Sequence, residues 1–156
     1  LLILGKNAYS ASVLSSRMKK REIRRTYLGA ARGIPQPPEG TVTAPIAREK
    51  DSAILRCVDF QRGEEAVTHY ETLCTEKGSS LIRFSLETGR THQIRVHMKY
   101  LGTPLLGDYL YNPEYSKIKR VALHSYSLEF RHPVTNEELY FQSPLPKDMA
   151  ELFPSF

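Results

Sequence analysis

The sequence of 156 residues has a formal net charge of +5, 40% hydrophobic residues and two cysteines. This length fits one domain over residues 1–156 and requires no disulfide, because a chain of this size buries roughly two-thirds of the surface that its unfolded form exposes. Cys57 and Cys74 have neither CxxC nor zinc-ligand spacing, and no stretch of about 18 apolar residues occurs, so neither a zinc site nor a membrane-spanning helix is expected.

The positive charge is concentrated in the first 33 residues, which carry a net charge of +7, whereas the remaining residues carry −2. The basic residues of this segment are Lys6, Arg17, Lys19, Lys20, Arg21, Arg24, Arg25 and Arg32. Such a segment has two interpretations: it binds a polyanion such as nucleic acid, or it is the solvated end of a basic helix. Charge alone leaves both open.

The first elements predicted along the chain are a helix, a strand and a loop. Residues 7–22 are predicted to be helical because apolar residues recur at spacings of three and four. The run RRTYLGAAR, residues 24–32, predicts a strand. The run GIPQPPEG, residues 33–40, predicts a loop because neither a helix nor a central strand tolerates its prolines.

Residues 53–60, 66–74 and 80–86 predict three further strands, since each is a β-branched or aromatic run bounded by turn residues. These strands are expected to form a meander. A helix is predicted from about Thr91 to Leu101, ended by Gly102.

Residues 121–133 and 138–144 predict two more strands, and residues 146–153 a short helix that begins with proline. The whole pattern predicts an α+β fold, with a predominantly antiparallel mixed sheet and a few flanking helices.

The segment LETGRTHQIRVHM, residues 86–98, carries the most distinctive local pattern. A strand end, a turn at Gly89 and a helix start would aim backbone N–H groups and Arg90 at one point, which suits an anion. Arg95 lies away from the apolar stripe of the predicted helix, so it either enters a cleft or makes an ordinary surface salt bridge. His92 and His97 are five residues apart, not the four that lets two imidazoles on one helix face bind zinc, so no metal site is expected.

Three segments carry a resemblance to a known family. LETGRTHQIRVHMKYLGTPLLGDYLY, RVALHSYSLEFRHP and SPLPKDM resemble the C-terminal half of the catalytic domain of the RluA family of RNA pseudouridine synthases. The first 33 residues are similar to the family segment that follows its catalytic motif. The resemblance implies a cytoplasmic enzyme with the pseudouridine synthase fold, which acts on structured rRNA or tRNA without a cofactor or a metal.

The resemblance also implies a reaction and its residues. These enzymes flip a uridine out of RNA, break its N-glycosidic bond, rotate the uracil and rejoin it through carbon 5. Tyr27 matches the tyrosine that stacks on the base, and Arg95 matches the arginine that pairs with the nucleophilic aspartate. The residues expected to bind RNA are Lys19, Lys20, Arg24, Arg25, Arg90 and His92.

The nucleophilic aspartate of the family lies in a His-Arg-Leu-Asp segment, which these 156 residues do not contain. Asp108 matches a family aspartate that looks like a turn residue, so it is not expected to be the nucleophile. The chain by itself is expected to be inactive and to self-associate through the sheet edge left open by the missing N-terminal part. The alternatives are a non-catalytic RNA-binding paralogue and a fragment that complements a separate N-terminal half.

Overall fold

A computed structural model describes residues 1–112 and 118–156 and shows three helices and eight strands within them. In chain order these elements are α1 (Ala8–Lys19), β1 (Arg24–Arg32), β2 (Glu39–Thr43), β3 (Ile46–Arg48), β4 (Arg56–Val58), β5 (Val67–Glu76), β6 (Ser79–Leu86), α2 (Gln93–Tyr100), β7 (Leu123–Arg131), β8 (Glu138–Gln142) and α3 (Lys147–Ala150). The predicted α+β fold is confirmed.

Six strands form one sheet in the order β2-β5-β6-β1-β7-β8, and β3 and β4 form a separate pair. Every strand pairing in the described residues is antiparallel. The predicted meander is wrong, because β4 pairs with β3 and the outer neighbour of β5 is β2. Glu39 and Gly40, expected in the proline-rich loop, begin β2; Gly40 lies opposite Tyr70, and its lack of a side chain leaves room for that ring.

The central strand β1 separates two hydrophobic clusters because its side chains alternate between the two faces of the sheet. Ala31 belongs to the cluster that contains Ile94 and Met98 of α2. Leu28 and Ala30 belong to the other cluster, with Leu81, Met149 and Phe153. The sheet therefore carries α2 over one face and α3 over the other.

The ends of the first two helices follow from local chemistry. Asn7 caps α1 by accepting a hydrogen bond from the Ser10 N–H at 2.8 Å. This helix ends at Lys19, three residues earlier than predicted, because Arg21 adopts a left-handed conformation with φ of 60°. Helix α2 ends in a Schellman motif: the Gly102 N–H donates to the Lys99 carbonyl at 2.9 Å, and the Thr103 N–H donates to the Met98 carbonyl at 3.0 Å.

Cys57 lies in β4 and Cys74 in β5, and each is partly buried. Burial raises the pKa of both thiols. In residues 1–112 and 118–156, no helix combines the length and apolar character needed to cross a membrane. The same residues contain no cluster of three or more His, Cys, Asp or Glu side chains able to hold a metal ion.

Candidate active site

Arg95 and Asp108 form a bidentate ion pair that links α2 to the loop after it. Arg95 donates through Nε to Asp108 Oδ2 at 2.8 Å and through Nη2 to Asp108 Oδ1 at 2.6 Å. Asp108 is fully buried, and only 13% of the Arg95 side chain is exposed. The hydrogen bonds with Asp108 raise the pKa of Arg95 above its already high usual value. Arg95 therefore stays charged, and its guanidinium plane is fixed.

This geometry excludes the interpretation of Arg95 as an ordinary surface salt bridge. An ordinary surface salt bridge would leave both side chains in water, whereas this pair is almost completely enclosed. Asp108 does lie in a turn, as expected, since its carboxylate accepts hydrogen bonds from the Leu110 and Tyr111 N–H groups at 3.2 and 3.3 Å. Gly107 precedes it with φ of +67°, and a Cβ there would overlap the Arg120 carbonyl. The role of Asp108 as the partner of Arg95 was missed from the sequence.

Tyr111 forms the floor beneath the Arg95 guanidinium, whose carbon lies 4.9 Å from the centre of the ring. The Tyr111 hydroxyl accepts a hydrogen bond from the Arg56 N–H and lies 2.9 Å from His92 Nδ1. The hydroxyl can donate its own proton to Nδ1 when a neutral His92 carries its proton on Nε2. Burial, and then the charge of Arg95, lower the pKa of His92. Both effects favour the neutral form of His92.

Gln93 fixes the start of α2. Its side-chain oxygen accepts from the Arg90 N–H and the Thr88 hydroxyl, each at 2.9 Å. Its amide nitrogen donates to the Val67 carbonyl and to Thr68 Oγ1, each at 3.0 Å. The polar residues at the beginning of this helix are therefore partly explained by a satisfied hydrogen-bond network that holds α2 on β5.

A second buried polar side chain anchors α2 one turn further on. His97 is completely buried, with Nδ1 2.9 Å from Thr68 Oγ1 and Nε2 2.8 Å from the Ala44 carbonyl. Since Nε2 must donate to the carbonyl, a neutral His97 accepts at Nδ1. Burial lowers the pKa of His97.

Tyr27 lies in β1, opposite Phe84 of β6 and Ser125 of β7. Its half-buried ring packs against the cluster that contains Ile94 and Met98, the neighbours of Arg95 on α2. The structure thus places Tyr27 and the helix that carries Arg95 on the same face of the sheet.

The residues expected to bind RNA fall into different environments. Lys19 and Lys20 are exposed at the end of α1, and Arg24 makes a loose, exposed ion pair with Glu129 at 3.5 Å. Arg25 is partly buried near Met18, with Nη2 3.8 Å from the sulfur. These four residues form one basic region at the junction of α1 and β1.

Arg90 and His92 lie apart from that region, on the loop before α2. Arg90 donates to the Glu65 carbonyl at 3.0 Å and pairs with Glu64. His92 is committed to Tyr111 and belongs to the surroundings of Arg95. The sequence therefore identified six polar residues that the fold divides between two surfaces.

The chain is similar to proteins of one enzyme family. The family profile described as RNA pseudouridylate synthase matches residues 1–100. The chain is 45% identical over 152 residues to the uncharacterized RNA pseudouridine synthase YjbO of Bacillus subtilis (strain 168), which covers 97% of this chain and 53% of that protein. It is 39% identical over 161 residues to ribosomal large subunit pseudouridine synthase D of Nitrosomonas europaea, which covers 97% of this chain and 46% of that protein.

Solved structures include a similar fold in human RNA pseudouridylate synthase domain containing 1, with a TM-score of 0.76 and 27% identity over 89% of this chain and 61% of the human one. The chain spans about half the length of the curated relatives it matches. Taken with the profile match, these similarities show that the chain belongs to the RNA pseudouridylate synthase family, as its resemblance to the RluA enzymes predicted.

Proposed function

We propose that this chain supplies Tyr27 and Arg95 to the active site of an enzyme that converts uridine to pseudouridine in structured RNA. The observation that carries the proposal is the enclosed Arg95–Asp108 pair, on a helix that covers the same face of the sheet as Tyr27. Among rRNA and tRNA, rRNA is favoured, because several relatives are named ribosomal large subunit pseudouridine synthase D. We propose a cytoplasmic location on the same basis.

The reaction is an isomerisation. The bond between N1 of the uracil and C1′ of the ribose breaks, the uracil rotates, and a bond forms between C5 and C1′. The hydrogen on C5 leaves as a proton and N1 gains one, so no electrons are exchanged with an outside reagent. Atoms and charge balance without a cofactor, and we propose that none is used.

Arg95 can hold the nucleophilic carboxylate that this family uses. Asp108 accepts from Nε and Nη2 of Arg95, and no described residue accepts from Nη1. The remaining N–H groups are suited to a second carboxylate, whose charged form a neighbouring guanidinium favours. Asp108 acts through Arg95 and is a positioning residue. Tyr27 would provide the aromatic surface that replaces the stacking lost by a flipped base, worth on the order of 1 to 3 kcal/mol.

The experiment measures release of tritium from RNA labelled at uridine C5, because the reaction frees that hydrogen. It uses the full-length protein, since the His-Arg-Leu-Asp segment is absent from these 156 residues and a polypeptide of this sequence alone is expected to be inactive. Arg95→Ala should lower turnover by about three orders of magnitude while changing RNA affinity only a few-fold. The control is Arg83→Ala, which removes an exposed arginine of β6.

Different outcomes of this assay would refute the role of Arg95 and the proposed activity. Tritium release that is equal in Arg95→Ala and the unaltered protein would remove Arg95 from the mechanism. Absence of release from ribosomal and transfer RNA by the unaltered protein would refute the proposed activity.

We also propose that the 156-residue polypeptide alone self-associates through a sheet edge. The strand β8 pairs only with β7 among the described strands, and it exposes 61% of Tyr140 and 46% of Phe141. An exposed apolar edge strand favours pairing with another chain. Light scattering after size-exclusion chromatography should show a dimer or larger species, and a monomer at high concentration would contradict this.

A further inference from the structure

A cavity of about 470 Å³ lies between the β3–β4 hairpin and the loop that precedes α2. Among the described residues, its charged lining comprises four arginines and one carboxylate: Arg48, Arg56, Arg62, Arg90 and Glu64. The lining is therefore strongly positive. Only Arg90 belongs to the residues that the sequence identified as RNA-binding.

The β3–β4 hairpin places two of these arginines close together although their like charges repel each other. Arg48 and Arg56 lie directly opposite each other in the antiparallel register. Like charges at opposed positions destabilise a strand pair, and each of these strands has only three residues. A bound anion would convert this repulsion into attraction.

The two arginines also lack carboxylate partners among the described residues. Arg48 is exposed and forms no ion pair with a described side chain, while the side chain of Arg56 donates through Nη1 to the carbonyls of Ile54 and Leu55, at 3.1 and 3.0 Å. Arg62 pairs with Asp59, outside the cavity lining, through Nε at 2.8 Å. Glu64, a carboxylate of the lining, already pairs with Arg90.

This cavity adjoins the proposed active site through direct contacts. The backbone N–H of Arg56 donates to the Tyr111 hydroxyl at 2.9 Å, and the Tyr111 ring lies beneath the Arg95 guanidinium. The loop residue Arg90 lies two positions before His92, which contacts the same hydroxyl. A nucleotide bound at Arg95 carries a phosphate on each side, so its backbone has to cross the surface near this site.

We propose that the arginine cavity binds a backbone phosphate of the RNA substrate beside the target uridine. The inference rests on the proposed function, which it deepens by assigning Arg48, Arg56 and Arg62 to the substrate. Guanidinium groups suit phosphate because they offer paired N–H donors in one plane. Such a contact carries no sequence information and fixes the position of the RNA on the protein.

The test compares two double variants of the full-length protein that remove the same charge. Arg48→Gln with Arg62→Gln changes two exposed side chains of the cavity. Arg83→Gln with Arg120→Gln removes two arginines that lie elsewhere and pair with Glu71 and Asp148. The probe is a short fluorescein-labelled RNA stem–loop with uridines in the loop, and anisotropy gives its Kd across a range of salt concentrations. Thermal unfolding by circular dichroism checks that both variants are folded.

The cavity variant should bind this RNA at least about tenfold more weakly, because hydrogen bonds to a charged group are lost. The slope of log K against log salt should become shallower by about 0.7 to 0.9 for the phosphate contact removed. The control variant should keep the slope of the unaltered protein. Equal losses in the two variants would overturn the proposal, as would an unaltered protein that fails to bind the RNA.

Two further measurements test whether the cavity binds a small phosphate-containing ligand instead of RNA, and whether the protein has the proposed activity. Calorimetry with inorganic phosphate and with UMP asks whether the cavity takes a small ligand: binding of either that depends on Arg48 and Arg62, with unchanged RNA affinity, would overturn the RNA assignment. Tritium release is followed on the same samples. If the unaltered protein releases tritium but the two double variants bind the RNA equally well, only the cavity proposal is refuted. If RNA binding depends on the cavity arginines but the unaltered protein releases no tritium, only the proposed activity is refuted.

Discussion

The coupling free energy between Arg95 and Asp108, which form an enclosed pair, should be far larger than that of an exposed ion pair with the same geometry. Asp108→Asn keeps the size of the side chain but turns an amide N–H toward the N–H donors of Arg95. The guanidinium then remains enclosed without a compensating charge, which costs about 3 to 5 kcal/mol for a buried pair. Because 13% of Arg95 is exposed and its contact with Tyr111 persists, we expect the lower end, about 3 kcal/mol.

The chain offers a matched control in Arg120 and Asp148. This pair is also bidentate, with Nε–Oδ2 and Nη2–Oδ1 distances of 2.8 and 2.7 Å, but each side chain is 41% exposed. Exposed pairs contribute about 0.2 to 1 kcal/mol, since water screens the charges in both the folded and the unfolded state. The difference in coupling free energy between the two pairs therefore reports the effect of burial rather than of hydrogen-bond geometry.

The assay is urea unfolding of a double-mutant cycle at each pair, using Arg→Met, Asp→Asn and the combined variant. The coupling free energy should be about 2 to 3 kcal/mol at Arg95 and Asp108, and below about 1 kcal/mol at the control. A loss of this size leaves a domain of ordinary stability folded. Equal coupling at the two pairs would refute the reasoning that enclosure makes Asp108 necessary to Arg95.

Three further predictions concern the base, the RNA and pH. Tyr27→Leu should lower kcat/KM in the tritium assay about tenfold to a hundredfold while Tyr27→Phe stays close to the unaltered protein, because stacking needs only the ring; equal losses would contradict a stacking role. Replacing four basic residues by glutamine should weaken RNA binding and reduce its dependence on salt; these residues are Lys19, Lys20, Arg24 and Arg25. An unchanged slope of log K against log salt would show that they do not contact phosphates. Burial lowers the pKa of His97 in the folded state, so the unfolded state takes up the proton and the free energy of unfolding should fall as pH drops below about 6.5. His97→Gln should reduce this pH dependence in urea titrations, and an unaltered slope would assign it to other groups.

The parts of the fold that could be predicted from sequence are those with a strong local signal. Strands β1, β5 and β6 have long apolar or β-branched runs, and α2 has both an apolar stripe and a glycine stop. The strands β2 and β3 were missed because they are short and follow prolines, and their pairing depends on β5 and β4. The meander failed for the same reason, since strand order is decided by contacts distant in sequence.

The site shows the same division between local and distant information. The run TGRTHQIR identified Arg95 as a residue able to enter a cleft. Its partner, Asp108, lies 13 positions later across an irregular loop, and no periodicity relates the two. The family resemblance predicted Asp108 as a turn residue, which the structure confirms, but a turn does not determine which side chain the carboxylate will contact.

The polar residues of α2 acquire a common explanation once their partners are known. Gln93 and His97 both contact Thr68 of β5, while Arg95 lies on a different side of the helix and pairs with Asp108. Helix α2 is therefore fixed from two sides by directional bonds, in addition to the apolar contacts of Ile94 and Met98. Apolar packing alone tolerates small shifts, whereas hydrogen bonds of this length lose most of their strength when their geometry changes. The role proposed for Arg95, which is to hold a reactive carboxylate in one orientation, requires a helix fixed in this way, since a small displacement of a catalytic group has a large effect on rate.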